Sequence, residues 1–197
     1  EESWRDLDMA PPTGVVEREV RKGVEPQSMT QIVFTGPFEY TPENRVGMRV
    51  LRHVLDTRLR EVVREAMSGT YGVNVGSNYE RDPEPSYSIQ IGFGSDPGRV
   101  DELVAAIFAE IRNLKENGPD AEDVQAAREQ ERRTKETNLQ ENAWWAAQLR
   151  FAYQQGSHPR LLLDSSFLEG VTPETVRRDA NLWLNLENYV RVTLYPE

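Results

Sequence analysis

The sequence of 197 residues predicts an α+β fold, with a mostly antiparallel mixed sheet flanked by helices. Two observations predict this class. Segments with apolar residues at every second position come in consecutive pairs, which favours antiparallel pairing of strands. Segments with apolar residues three and four positions apart lie between and after those pairs, as in amphipathic helices. The predicted order is strand, strand, helix, strand, strand, four helices and a closing strand.

A linker and two strands are predicted to open the chain. Residues 1–13 contain two prolines and several acids, which indicates a linker from a larger parent chain. Residues 14–197 are predicted to form a single domain. The second strand is predicted at 30–36, and the first is indicated by three valines, Val15, Val16 and Val20.

The first helix has a start signal with a physical basis. Thr41 supplies an N-cap oxygen, Pro42 has a φ suited to the first helical position, and Glu43 places an acid in the electropositive first turn. The apolar stripe predicted to face the core contains Leu51, Val54, Leu55, Leu59 and Val62. The arginines predicted on or beside the exposed face are Arg52, Arg58 and Arg60.

After Gly69 the apolar period changes from helical to alternating, which predicts a hairpin. The polar link at 80–85 joins its two strands. Small residues such as Gly76 on the opposite face leave the backbone approachable. The alternating apolar residues are Tyr71, Val73 and Val75 in one strand and Tyr87, Ile89, Ile91 and Phe93 in the other.

Helices are predicted to fill most of the second half. One lies between the start signal at 95–97 and the stop signal at 117–119. Residues 120–155 contain no Gly or Pro and predict a long helix, exposed in its charged first half, buried in its aromatic second half, and kinked or broken near 138–142. The charge-rich stretch at 120–140 is interpreted as a solvated helix face, with a docking surface as the alternative.

Two shorter helices and a strand are predicted to close the chain. The first helix spans 159–167, and the second begins at the cap formed by Thr172, Pro173 and Glu174. The final strand is indicated by alternation of Val190, Val192 and Leu194.

Composition restricts the possible partners and sites. A net charge of −10 argues against a nucleic-acid partner, because phosphate binding needs a basic face. The absence of cysteine excludes thiolate zinc sites and cysteine nucleophiles, but fits both a reducing cytosol and a bacterial periplasm, so the compartment stays open. No run approaches the roughly 18 apolar residues of a membrane span. The start at Glu1 has neither an initiator Met nor a signal-peptide pattern, so the chain is interpreted as a piece of a longer protein.

Candidate catalytic groups are few. A zinc peptidase motif needs two His one helical turn apart and a carboxylate, whereas His53 and His158 lie in different predicted elements, so no metal site is predicted here. His53 is interpreted as a packed or boundary histidine and His158 as a loop residue. The glycines at 92 and 94 are interpreted as a strand end, not a phosphate loop, and no nucleophile-elbow sequence is present. No catalytic residue is predicted in this chain.

Arg64 and Tyr71 lie seven positions apart across the predicted helix-to-strand corner. A guanidinium and a phenol are both hydrogen-bond donors, so the pair is a candidate for holding a peptide carbonyl. Two alternatives remain open from the residues alone. Arg64 could form an ordinary surface ion pair with Glu61, and Tyr71 could cover the sheet with its ring while its hydroxyl reaches water.

The sequence after about residue 14 resembles the C-terminal-type domains of the M16 zinc metallopeptidases, the group of pitrilysin, insulin-degrading enzyme and mitochondrial processing peptidase. The resemblance rests on Arg64-Glu65 at a helix end followed by Gly69 and Tyr71, on the segment at 120–155, and on the segment at 171–176 before the last strand. It implies a metallohydrolase-like domain, a sheet flanked by helices, in an enzyme whose domains or subunits enclose a chamber.

In that family one domain carries an inverted zinc motif, His-x-x-Glu-His, and an opposing domain supplies an Arg and a Tyr that hold the peptide backbone. This chain lacks the motif, and Arg64 and Tyr71 match the pair. The resemblance therefore implies a substrate-positioning domain that is inactive alone. Its partners would be a peptide or protein substrate and a zinc-bearing domain, in the same or another chain, that holds the zinc cofactor. The alternative is a catalytically silent scaffold or interaction domain of the same fold.

Overall fold

Five strands form one mixed sheet in the computed structural model, which describes residues 10–67 and 72–197. The strands are β1 (Val15–Arg21), β2 (Ser28–Pro37), β3 (Val73–Glu80), β4 (Ser86–Ser95) and β5 (Tyr189–Tyr195). Their order across the sheet is β1-β5-β2-β4-β3. β1 runs parallel to β5, and the other neighbouring pairs are antiparallel. The predicted class, an α+β fold with a mostly antiparallel mixed sheet, is confirmed.

The helices are α1 (Pro42–Met67), α2 (Val100–Asn117), α3 (Ala121–Asn138), α4 (Asn142–Gln154), α5 (Ser166–Glu169) and α6 (Pro173–Trp183). Short 3-10 turns lie at Pro97–Arg99 and Pro159–Leu162. The start signal of α1 is confirmed, since the Thr41 hydroxyl accepts a hydrogen bond from the Asn44 amide at 3.1 Å. Within the described ranges, no helix combines the length and apolar character that crossing a bilayer requires.

The helix predicted at 159–167 is wrong in form: a 3-10 turn and the short α5 replace it. Local hydrogen bonds explain the difference. His158 Nδ1 accepts from the Arg160 amide at 3.1 Å, and Asp164 Oδ1 accepts from the Ser166 amide at 2.8 Å. Such side-chain acceptors compete with the backbone carbonyls for these amides, so the helical hydrogen bonds are interrupted at each of the two positions. His158 is a loop residue, as predicted.

The core lies between the sheet and α1, α2 and α6. Alternate residues of β2 and β4 point into it, and these are fully buried: Ile32, Phe34, Ile89, Ile91 and Phe93. The α1 stripe is confirmed for Leu51, Val54, Leu55 and Leu59. The last residue predicted for the stripe, Val62, is wrong, because Val62 is half-buried and Val63 is the buried residue. Position 63 lies one full turn after Leu59, which keeps it on the same face of the helix.

The alternation in β5 marks the sheet face opposite the helices. Val192 and Leu194 are exposed, whereas Tyr189 and Thr193 are buried. Thr193 is accommodated in the core because its hydroxyl lies 3.1 Å from the Thr30 hydroxyl on the neighbouring strand, so the two polar groups satisfy each other.

The long helix predicted at 120–155 is broken where expected, between α3 and α4. Its predicted burial gradient is wrong. Val124 and Ala127 in the charged first half are buried against the rest of the domain, whereas Ala152 is the buried residue of α4. The cause is that α3 packs directly on α1, while α4 and the following 3-10 turn form a peripheral arm, residues 142–165.

The solvated-face interpretation of residues 120–140 also needs correction. Acids of α3 form ion pairs with arginines of α1 instead of facing only water. The prediction that Arg58 lies on or beside the exposed face is wrong for the same reason. The Arg58 side chain is only 14% exposed, and it pairs with Glu110 and Asp123 at 2.8 Å each. It ties α1 to both α2 and α3, which a helical periodicity cannot reveal because its partners lie on other helices.

Candidate functional site

The candidate site is the corner where α1 ends and β3 begins. β3 is an edge strand, paired only with β4 among the described residues. Arg64 lies in the last turn of α1 and is exposed. A cation there interacts favourably with the negative end of the helix dipole. Tyr71, with Gly69, lies outside the described residues, so the structure places one member of the predicted pair.

Asp56 fastens the beginning of β3 to α1. Its Oδ1 accepts a hydrogen bond from the Val75 amide at 3.3 Å, and its Oδ2 pairs with Arg60 at 2.9 Å. The Asp56 side chain is 15% exposed, so water competes little for these contacts. The contact joins the Val75 amide of β3 to α1 at Asp56, about two helical turns before Arg64. The two chain segments that flank residues 68–71 are therefore held at a set spacing.

The ion-pair alternative for Arg64 can be compared with its neighbours. Arg60 pairs with Asp56 on its own helix. No residue in the described part of the chain pairs with Arg64, and Glu61 is exposed beside it. The Arg64 side chain is exposed, and a guanidinium carries five N–H donors.

The hairpin next to the corner has the small-residue face that its sequence predicts. A Cβ built on Gly76 of β3 would meet no atom within 4 Å. On the following strand, Gly92 is partly covered by the Gln31 side chain, whose Oε1 would lie 3.0 Å from such a Cβ. The β3 side of the open sheet face therefore exposes backbone, while Gly92 and its neighbours are strand residues and not a phosphate loop.

A partly buried ion cluster between α1 and α3 was missed from the sequence. Glu131 pairs with Arg49 at 2.6 Å and with His53 at 2.9 Å. Burial disfavours the charged Glu131, but hydrogen bonds and charges from His53 and Arg49 outweigh it and lower the pKa of Glu131 to about 2. The cluster joins residues about 80 positions apart, so no local spacing signals it. His53 is a boundary histidine, as interpreted, with its side chain 19% exposed.

The described His, Asp and Glu side chains also show whether this region could hold a metal ion. Across residues 10–67 and 72–197, no three His, Asp or Glu side chains converge in a way that could hold a metal ion. What the described corner offers chemically is an exposed cation beside an edge strand.

Comparison with known proteins identifies the family. The family described as "Peptidase M16 inactive domain" matches residues 3–131. A curated relative, "Zinc protease PQQL-like" from Arabidopsis thaliana, is 28% identical over 153 residues, which is 73% of this chain and 16% of that protein. The chain thus spans only a small part of the length of this relative.

Solved structures show the same fold. The ferredoxin protease FusC, in complex with Arabidopsis ferredoxin, aligns with a TM-score of 0.81 and 22% identity over 94% of this chain and 21% of that chain. The inactive peptidase domain of a putative zinc protease from Bordetella parapertussis aligns with a TM-score of 0.73 and 17% identity, over 89% of this chain and 94% of that one. At these identities the likeness establishes the fold. From the family match, this chain is an inactive, C-terminal-type domain of the M16 zinc protease family.

Proposed function

We propose that this chain is the substrate-positioning domain of an M16-type zinc metalloendopeptidase, which holds the peptide backbone through Arg64 and Tyr71. Hydrolysis would take place at a zinc site on another domain or subunit. The observation that carries the proposal is the position of Arg64: exposed, in the last turn of α1, beside an edge strand whose start is fastened to that helix by Asp56.

The chemistry asked of the pair is hydrogen-bond donation. The Arg64 guanidinium and the Tyr71 hydroxyl would donate to carbonyl oxygens of an extended peptide and keep it in register. Donors fixed in advance also stabilise negative charge that develops on a carbonyl oxygen near the cleaved bond. The planar guanidinium suits this task because it presents several N–H donors in one fork, which matches oxygen acceptors.

The zinc, in this proposal, belongs to a partner domain. The relative is named a zinc protease, and the described residues here contain no convergent set of metal ligands. Residues 14–197 would form the single positioning domain, after a linker at 1–13. The substrate would be a peptide or protein, and the zinc-bearing domain could lie on the same chain or on another. A motif His-x-x-Glu-His in the parent gene or an adjacent gene is the simplest observation that supports this arrangement.

The test is cleavage of a peptide by the full-length parent carrying Arg64→Ala or Tyr71→Phe. Loss of a donor that acts in the transition state lowers kcat/KM by about 10- to 100-fold, with little change in thermal stability. The matched control is Arg133→Ala, an arginine of α3 whose side chain is 70% exposed. Unchanged cleavage by both variants, with an intact fold, would refute the holding role and leave the catalytically silent scaffold as the function.

A further inference from the structure

A cavity of about 350 Å³ lies beneath the peripheral arm, residues 142–165, and is separate from the candidate site. Its floor is formed by α1 and α3, and its roof by the arm. It reaches the end of β3 through Tyr79, whereas the corner lies at the start of that strand. Along α1, Arg49 precedes Arg64 by 15 positions, about 22 Å of helix. The two sites therefore cannot share one small ligand.

The polar lining of the cavity has more basic than acidic groups. Arg45, Arg49 and Lys135 face Glu131 and Asp164, which leaves one net positive charge in a chain whose net charge is −10. A local positive potential within an acidic protein selects for a ligand with a single negative charge.

Several of these basic donors remain available. Arg49 is committed, since its Nε donates to Glu131 and its Nη1 lies 3.2 Å from the Tyr79 hydroxyl. Lys135 donates one of its three N–H groups to the Asp164 carbonyl oxygen at 2.9 Å. The Arg45 guanidinium lies over the Tyr40 ring at 5.2 Å, and its Nε is buried without a hydrogen-bond partner in the described structure. Because protein covers this Nε, a ligand in the cavity would meet the positive charge of the guanidinium and not that N–H.

The rest of the lining combines uncharged polar side chains, such as Thr134, Asn138 and Gln148, with an apolar and aromatic set. The apolar and aromatic set includes Val46, Trp144, Leu161, Leu162, Phe167 and Leu168. The volume is at the low end of the range for small-ligand sites, about 300 to 1,000 Å³. A site of this size with one net positive charge fits an amino-acid-sized apolar group that carries one carboxylate.

The roof is held by contacts that a ligand would not need to break. Arg81 Nη1 donates to Gln155 Oε1 at 2.6 Å, at the far end of α4 from Trp144. Phe151 contacts Tyr40 with ring centroids 6.4 Å apart. Trp144 itself lines the cavity, so its fluorescence provides a direct reporter of occupancy.

We propose that this cavity binds a carboxylate attached to a compact apolar group. Two sources share this chemistry: the C-terminus of a peptide whose last residue is apolar, and a free N-acyl amino acid. The proposal does not depend on Arg64 or Tyr71, and its failure would leave the proposed function untouched.

The test is calorimetric titration of the 197-residue chain with N-acetyl-L-phenylalanine, in parallel with its uncharged amide and with acetate. We expect the free acid to bind with a Kd of about 1 mM or below. The amide, which lacks the charge, and acetate, which lacks the apolar group, should each bind at least about 10-fold more weakly. Binding should change the fluorescence of the wild-type chain and leave that of Trp144→Phe unchanged.

Variants then locate the site. Lys135→Gln and Arg45→Gln should each weaken binding of the free acid at least about 10-fold. Arg133→Gln, on the outer face of α3, should leave this affinity unchanged. Circular dichroism and the Tm show whether each variant is folded. A pentapeptide ending in Phe, with a free or an amidated C-terminus, distinguishes the sources. Tighter binding of the free-ended peptide than of the small acid assigns the site to peptide C-termini, and the reverse assigns it to small acids. Equal binding of acid and amide, binding insensitive to both cavity variants, or no binding by any probe would overturn the proposal.

Discussion

Gly47 of α1 lies directly against the buried carboxylate of Asp179 in α6. A Cβ at position 47 would collide with Asp179 Oδ2 and lie 3.6 Å from the Trp183 ring. Asp179 is 1% exposed, and its Oδ2 has no hydrogen-bond partner in the described structure. The close approach of the two helices at this point therefore depends on the missing side chain of a glycine within a helix.

Gly47→Ala is expected to destabilise the domain, although alanine is the better helix former by about 1 kcal/mol. The added methyl group would force α1 and α6 apart or displace the buried Asp179 carboxylate. We expect a net loss of about 1 to 3 kcal/mol in urea unfolding. The Asp179→Ala variant lacks the carboxylate that the new methyl group would meet, so Gly47→Ala should reduce the free energy of unfolding by less in that background. Equal costs in both backgrounds would show that the two residues are not coupled.

The pH dependence of stability should change in Asp179→Asn. Burial raises the pKa of Asp179 above 3.8, although Arg178 opposes the shift. The folded state then binds the proton more tightly than the unfolded chain, so stability falls as the pH rises above that value. We expect the wild type to lose more stability than Asp179→Asn between about pH 4 and about pH 7. Parallel pH profiles of the two proteins would contradict this.

Glu131→Gln should have the opposite pH signature. The folded-state pKa of Glu131 is about 2, below its ordinary 4.5, so its contribution is present above 4.5 and is lost as the pH falls through about 2. The shift corresponds to about 3 kcal/mol near neutral pH. The destabilisation of Glu131→Gln should therefore shrink steadily on acidification. Glu129→Gln is the control, because its partners on α3 are exposed arginines and its loss should cost under about 0.5 kcal/mol.

Arg58→Met should lower the free energy of unfolding by about 1 to 3 kcal/mol, because Glu110 and Asp123 would lose their shared cation between packed helices. The methionine keeps most of the apolar stem, so the loss reports on the charge contacts. Arg133→Met serves as the exposed counterpart. If the two variants unfold at the same urea concentration, the tie between α1, α2 and α3 contributes nothing measurable.

Hydrogen exchange can test how Asp56 holds the corner. Asp56→Ala removes the acceptor of the Val75 amide, so that amide should exchange faster, while the central amides of β4 keep their protection. Asp56→Asn keeps an oxygen at the same place and should preserve most of the protection. Rapid exchange of Val75 in the wild type would show that this contact does not hold the strand start.

Much of the fold could be predicted from local patterns. Ile32 and Phe34 alternate in β2, and Leu51, Leu55 and Leu59 recur on one face of α1, because strand and helix periods depend only on neighbours in the chain. The same locality explains the errors. The predicted burial of α3 and α4 is the wrong way round, because charge and aromatic content do not show which of the two helices packs on α1. The candidate site, Arg64 together with Tyr71, stays a prediction.

The sequence by itself determined the α+β class, the β3–β4 hairpin, the capped start of α1 and the resemblance to M16 domains, since each depends on residues close together in the chain. The tertiary structure decided the rest. It placed Asp179 against Gly47, Glu131 between Arg49 and His53, and the arm over a cavity with free basic donors. These features arise where distant helices cross, and the energies of ion pairs and cavities depend on that crossing and not on spacing along the chain.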